Sequence, residues 1–255
     1  MRRLSLTAVP HIPLIQPGDD LAQILAEALL AADLRPQAGD VLAIAQKIVS
    51  KAEGRYVNLK DVVPSDEAVK VAHVVDKDAR LVELILQEST EISRMAKGVL
   101  IVRHKLGFTS ANAGIDRSNI KHHEGEEQVL LLPQNPDRSA AALRTALHNL
   151  LGIKLGLIIT DSHGRPFRLG IQNIAIGVAG IPALVDKRGD LDMFGNELKV
   201  TTIGLADELA AASGLLMGQA DEAAPAVLMQ GLNLPESDGQ AHDLVRPREI
   251  DLYYQ

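Results

Sequence analysis

One short stretch, residues 156–170, constrains the fold and the chemistry of this chain more than any other. It begins with the β-forming run Leu157-Ile158-Ile159-Thr160. An uninterrupted apolar strand is typical of a position buried on both faces of a sheet. The run stops abruptly at Asp161-Ser162-His163-Gly164, and two arginines, Arg165 and Arg168, follow. The stretch therefore predicts a buried strand that ends at Thr160 and opens into a polar loop rich in groups that bind ions.

The remaining pattern predicts strands and helices in alternation. Strands are expected at residues 4–9, 41–45, 99–102, 172–178 and 225–230, and helices near residues 19–32, from 64, around 82–86, and at 137–151 and 206–218. Several connections are long, and the order is not a clean series of right-handed crossovers. The predicted fold class is mixed α+β, with residues 1–255 as one domain that has room for two subdomains.

The composition excludes several classes of function. Aromatic residues make up only 2% of the chain, which argues against stacking platforms for single-stranded nucleic acid. The formal charge of −7 is spread without a long basic block, so no nucleic-acid surface is expected. Cysteine is absent, which excludes thiolate catalysis and zinc–thiolate sites. No apolar run is long enough for a membrane span or a signal peptide, and a cytoplasmic location is the simplest interpretation.

Two polar clusters suit a divalent cation that shares phosphate oxygens with the protein. Asp161 and Ser162 offer hard oxygen ligands at a strand exit, and the segment NAGIDRSN offers Asp116, Ser118 and Asn119 after another strand. Neither a P-loop nor a dinucleotide-binding glycine motif is present in the sequence. A Ser-His-Asp triad is disfavoured because adjacent strand residues point to opposite sides.

The cationic residues allow two interpretations each. Arg165 and Arg168 are either solvated or form a clamp for phosphate or carboxylate groups. In QKIVSKAEGR, residues 46–55, three cations surround Ser50 and Glu53, which suits either a solvated hairpin or phosphate binding. The adjacent pair His122-His123 lacks the helical spacing of a zinc site and is interpreted as part of a polar surface loop.

Taken together, these segments resemble the coenzyme F420-0:γ-glutamyl ligase family. The resemblance rests on segments that occur in order along nearly the whole chain: IPLIQPGDDL, AQKIVSKAEGR, NAGIDRSN, LLLPQNPDRSA, IITDSHGRPFRLG, IAIGVAG, DMFGNELKVT and ADELAAASGLLMG. It implies a GTP-dependent ligase that joins one or more L-glutamates to F420-0 through an acyl phosphate, the further ones by γ-linkages. It also implies Mg²⁺ or Mn²⁺, a monovalent cation such as K⁺, and an intertwined homodimer of unusual fold. The flavin-binding nitroreductase-like domain of some relatives is not expected in these 255 residues.

The resemblance assigns roles to individual positions. Metal ligands are expected at Asp116, Asp161, Ser162 and Gln219, and catalytic groups at Asp116, Asp161, Arg165 and Arg168. Nucleotide contacts are expected at Ile12, Pro13, Leu14, Ile15, Gln46, Lys47, Lys51, Asn119, Met217, Gly218 and Gln219. Two alternatives fit the same residue content: a metal-dependent phosphatase or GTPase that uses the same aspartates, and a non-catalytic nucleotide-binding subunit.

Overall fold

The computed structural model describes residues 3–120 and 127–251. In chain order its elements are β1 (Ser5–Ala8), α1 (Leu21–Ala31), β2 (Val41–Ala45), α2 (Gln46–Ala52), β3 (Tyr56–Asn58), α3 (Asp66–Val75), α4 (Ala79–Gln87), β4 (Ser89–Ala96), β5 (Val99–His104), β6 (Thr109–Ala111), β7 (Gln128–Leu130), α5 (Pro136–Leu151), β8 (Gly156–Arg165), β9 (Arg168–Ala179), β10 (Val185–Asp186), β11 (Thr202–Ile203), α6 (Leu205–Met217) and β12 (Ala226–Gln230). The predicted mixture of α and β structure is confirmed. The predicted loop at His122-His123 lies outside the described residues.

A five-stranded sheet in the order β1-β12-β2-β8-β9 forms the centre of the fold. Only β2 and β8 run parallel, and the other three pairs are antiparallel. The connection between β2 and β8 therefore spans more than a hundred residues and contains most of the remaining elements. This mixed sheet explains why the sequence does not resemble a regular series of crossover units.

Helices cover both faces of this sheet. Leu157 and Ile159 of β8 pack in a core with α1 and α5, while Ile158 between them packs in a second core with α6. Side chains of a strand alternate between faces, so an unbroken apolar run is what a doubly covered strand requires. Helix α1 begins where the Asp20 carboxylate accepts a hydrogen bond from the Gln23 amide at 3.0 Å, as an N-cap does.

A third apolar core lies among the residues that join β2 to β8. It packs α3 and α4 against the three-stranded sheet β4-β5-β6. Ser65 caps α3, as the sequence Pro64-Ser65-Asp66-Glu67 predicts. Among the described residues no helix combines the length and the apolarity that a bilayer crossing requires.

One local prediction is wrong, and one of two open alternatives does not form. The strand expected to stop at Thr160 continues as β8 to Arg165 and turns back through Pro166-Phe167 into β9. Asp161, Ser162 and His163 therefore lie on a strand rather than in a loop, because cross-strand pairing with β9 outweighs the weak strand preference of polar residues. The hairpin considered for residues 46–55 is instead the helix α2, which follows β2 without a break.

Candidate active site

The parallel pairing of β2 with β8 ends at the carboxyl end of β2, and β8 continues past it. Ala45, the last residue of β2, pairs with Thr160 of β8. Beyond Thr160, among the described residues, β8 pairs only with β9, so its other edge is open. The carboxyl ends of parallel strands are where α/β sheets commonly bind ligands. We call this place the open edge of β8.

Asp116 reaches the open edge from the loop that follows β6. Its Oδ1 atom lies 2.7 Å from Lys47 Nζ, and its Oδ2 atom accepts a 2.6 Å hydrogen bond from Gln46 Nε2. Burial raises the pKa of Asp116, Lys47 opposes that shift, and the carboxylate of Asp161 adds to it. The two aspartates that the sequence predicts to share a cation are thus close enough to influence each other.

Asp161 and His163 share one face of β8. The Nε2 atom of His163 donates to Asp161 Oδ2 at 2.9 Å, and the ring of His163 contacts Phe108 edge-on with centroids 5.0 Å apart. The side chain of Asp161 is only 11% exposed. Ser162 between them faces the opposite side of the strand, toward α6. Asp161 and His163 are therefore in contact, but Ser162 does not join them in a Ser-His-Asp triad.

The loop after Asp116 closes over the open edge through three hydrogen bonds. Lys51 Nζ donates to the carbonyl of Asn119 at 2.8 Å, and Lys47 Nζ donates to the carbonyl of Ser118 at 3.2 Å. The Asn119 side chain in turn donates to the carbonyl of Ala220 at 2.9 Å. The pKa of Lys51 is lowered, first by burial and then by the neighbouring charge of Lys47. Two lysines, the Asp116 loop and the segment after α6 thus meet at one place.

The segment after α6 contributes Gln219. Helix α6 ends at Met217, and Gly218 has a φ of +67°, a left-handed conformation that glycine adopts readily. This turn directs the chain back toward β9, where Gln219 Nε2 donates to Asn173 Oδ1 at 3.0 Å. Sequence reasoning missed Asn173, although a buried asparagine inside a predicted apolar strand was a visible signal.

Other predicted site residues are less closely tied to the carboxylates. Ile15 is buried in the core with α1, and Leu14 is 83% exposed. The Arg165 guanidinium binds within its own hairpin, to Gln172 Oε1 at 2.6 Å and to a backbone carbonyl. Arg168 is exposed near the hairpin tip. The arginine clamp stays a prediction.

The oxygen donors at the open edge fit a hard divalent cation. Two carboxylates, a serine hydroxyl and the amide oxygen of Gln219 are ligands that Mg²⁺ and Mn²⁺ accept. The part of the chain that the structure describes holds no cluster of three or more His, Cys, Asp or Glu side chains arranged for a metal. A cation here would therefore depend on few protein ligands and on substrate phosphates, as is usual for Mg²⁺.

A separate cavity of about 430 Å³ lies beside this site. Its walls include Phe108, Ile174, Asp207, residues 240–242 and residues 244–246. Neither Asp116 nor Asp161 lines it. Phe108, which lines the cavity, also contacts the ring of His163, and His163 binds Asp161. The cavity and the carboxylate pair are therefore separated by these two rings.

Comparison with known proteins identifies the family of this chain. The family model described as F420-0:Gamma-glutamyl ligase matches residues 10–231. A protein of Methanopyrus kandleri named coenzyme F420:L-glutamate ligase is 44% identical over 98% of this chain and 97% of its own length. Proteins of the same name from Methanothermobacter thermautotrophicus and Methanocaldococcus jannaschii are 42% and 41% identical, over 98% and 95% of this chain and 98% and 94% of theirs. The chain therefore belongs to the F420-0:γ-glutamyl ligase family.

Proposed function

We propose that this protein is a GTP-dependent ligase that joins L-glutamate to coenzyme F420-0 by an amide bond. The names of its relatives support an enzyme that adds glutamate to F420. The observation that carries the proposal for this chain is the approach of Asp116 and Asp161 at the open edge of β8, beside Lys47 and Lys51. Phosphoryl transfer asks a protein mainly for positioning and charge neutralisation, and these groups offer both.

The proposed reaction has two steps. A carboxylate oxygen of F420-0 attacks the γ-phosphorus of GTP, the bond to the β-phosphate oxygen breaks, and GDP leaves. The amine of glutamate then attacks the resulting acyl phosphate, inorganic phosphate leaves, and the amine loses a proton. When bound, Mg²⁺ or Mn²⁺ neutralises phosphate charge and holds the phosphates in line with the attacking oxygen.

The protein's own residues divide this work. Asp116 and Asp161 would hold the cation from one face of β8, and Ser162 and Gln219 would offer further oxygen donors from the other face, past the open edge. Lys47 pairs with Asp116, and a cation bound to that carboxylate would leave the Lys47 ammonium free to contact a phosphate.

An assay of products tests the reaction against its alternatives. Incubation with F420-0, glutamate, GTP and Mg²⁺ should give a product heavier by one glutamyl residue, detected by mass spectrometry. Consumption of GTP without that mass shift would favour the phosphatase or GTPase. Binding of GTP without turnover in every combination of substrates would favour a non-catalytic subunit.

Replacement of Asp161 by asparagine tests the cation-binding role. Asp161→Asn keeps the shape of the side chain and its contact with His163 while removing a negative charge. We expect turnover to fall by two orders of magnitude or more with little change in melting temperature. A near-normal rate with Mg²⁺ would show that Asp161 does not hold the cation.

We also propose a homodimer. Besides the resemblance, the β8–β9 hairpin supports it, because Phe167 is 96% exposed and Leu169 is 99% exposed at its tip. Sedimentation of the full chain should give twice the monomer mass, and Phe167→Asp combined with Leu169→Asp should shift it toward the monomer. A monomeric unmodified protein at micromolar concentration would refute this proposal.

A further inference from the structure

A directed chain of hydrogen bonds runs from the interior of the protein to Gln219. Gln219 Nε2 donates to Asn173 Oδ1 at 3.0 Å. Asn173 Nδ2 lies 3.5 Å from Thr160 Oγ1, and the Thr160 hydroxyl lies 3.6 Å from Met217 Sδ. Three elements, β8, β9 and the end of α6, are joined by this chain.

The sulfur atom sets the direction of the chain. A thioether accepts hydrogen bonds but has no proton to donate. The Thr160 hydroxyl therefore donates to Met217 Sδ and accepts from Asn173 Nδ2, which itself lies 3.7 Å from the same sulfur. With its amide nitrogen facing these acceptors, Asn173 presents its oxygen to Gln219. The amide of Gln219 must therefore donate from its nitrogen to this oxygen, which leaves Oε1 facing outward.

The packing around Asn173 leaves its amide little freedom to turn. Its side chain is buried, with 5% of the residue exposed. Gly214 of α6 faces it so closely that a Cβ atom there would lie 3.0 Å from Asn173 Cγ. Glycine inside a helix is normally unfavourable, so a packing reason of this kind accounts for it. Gln219, in contrast, is exposed.

We propose that Asn173 is a positioning residue that holds the amide of Gln219 with its oxygen toward the cation site. This inference rests on the proposed function, in which Gln219 is one of the oxygen donors. A solvated glutamine loses side-chain entropy when it is fixed, and Asn173 supplies that order in advance. Groups that orient a metal ligand typically change metal affinity by 10- to 100-fold when they are removed.

A double-mutant cycle on cation binding tests the proposal. The probe is Mn²⁺, titrated in the presence of GDP and followed by electron paramagnetic resonance of the free ion. The variants are Asn173→Leu, which keeps the number and branching of the side-chain heavy atoms but removes the acceptor, Gln219→Ala, and the two combined. We expect each single change to weaken Mn²⁺ binding by about tenfold and the double change to weaken it no further.

A control variant separates positioning from stability. Ser213→Ala removes another buried hydroxyl from α6, one that donates to the Ala210 carbonyl and lies 3.9 Å from the same sulfur. We expect it to lower the melting temperature without a change in Mn²⁺ affinity. Equal effects of Ser213→Ala and Asn173→Leu on Mn²⁺ affinity would assign Asn173 a purely structural role.

The outcomes also distinguish this inference from the proposed function. If the unmodified protein makes the glutamyl product but Gln219→Ala binds Mn²⁺ normally, or the two single effects add, the role of Asn173 is refuted and the ligase stands. If the unmodified protein makes no product, the proposed function fails, whatever the cycle shows.

Discussion

Lys47 neutralises a buried carboxylate, and its removal should make the protein's stability depend on pH. Lys47 Nζ and Asp116 Oδ1 are 2.7 Å apart, and the two side chains are 23% and 22% exposed. Loss of one partner from a fully buried pair costs about 3 to 5 kcal/mol. Because each side chain keeps some contact with water and Gln46 still binds the carboxylate, we expect Lys47→Met to cost about 2 kcal/mol at neutral pH.

The sign of the pH dependence follows from the pKa of Asp116. Burial already raises that pKa above its ordinary value, and loss of Lys47, which opposes the shift, would raise it further. An acid with a raised pKa in the folded state destabilises the fold once it ionises. The unfolding free energy of Lys47→Met should therefore fall, relative to the unmodified protein, as pH rises from the unfolded pKa of aspartate through the raised folded value. Below that window the difference should be small.

Thermal denaturation across pH, in the presence of a chelator, measures this effect. A loss of about 2 kcal/mol corresponds to a fall in melting temperature of roughly 4 to 8 °C for a chain of this size. Lys51→Met is the matched control, because Lys51 binds the Asn119 carbonyl rather than the carboxylate. Added Mn²⁺ should stabilise Lys47→Met more than the unmodified protein, since the ion replaces the missing ammonium. A cost that is independent of pH, or equal for both lysines, would refute the reasoning.

Three further changes test separate parts of the molecule. Gly177→Ala would place a Cβ atom 2.5 Å from the Pro136 carbonyl oxygen, and we expect a loss of 1 to 3 kcal/mol in chemical denaturation, about the cost of overpacking. Asp207→Asn should stabilise the protein at neutral pH, because burial raises the pKa of Asp207 while an amide oxygen can still accept the Ala175 N–H; equal stability at all pH values would contradict this. Arg168→Lys should lower kcat/KM without a change in melting temperature if the predicted clamp exists, and unchanged kinetics would leave Arg168 as a solvated side chain.

The sequence predicts the central strands and most helices because their signals are local. The apolar runs at β2 and β8 and the caps at Asp20 and Ser65 depend on neighbours within a few residues, so periodicity and capping rules suffice. The extent of β8 was not predictable in this way. Its continuation past Thr160 is stabilised by pairing with β9. A single sequence does not show which polar segments will pair with a neighbouring strand.

In the candidate site, too, the residues with a local signal were predictable and the long-range contacts were not. Asp116 and Asp161 were identified by residue type and resemblance, and the structure brings both to the open edge of β8. The contacts that orient them were not predictable, because Lys47 is 69 residues from Asp116 in the chain and the sequence did not indicate the helix at Gln46–Ala52. Asn173 was missed because its partner Gln219 lies on another element.

Two buried amides orient oxygen donors at the open edge, one on each face of β8. Gln46 accepts from the buried Ser50 hydroxyl at 2.8 Å and donates to Asp116 Oδ2, as Asn173 donates into the interior and accepts from Gln219. In both cases an interior group fixes one end of the amide, so the other end presents only one kind of atom. Gln46 presents an N–H group to Asp116, and Asn173 presents an oxygen to Gln219. A hard cation needs oxygen atoms in fixed places, and a site with few carboxylates gains more from such orientation than a site that is crowded with them. If the proposed cation binds at this edge, the buried amides would compensate for the absence, among the described residues, of a cluster of three acidic or histidine ligands.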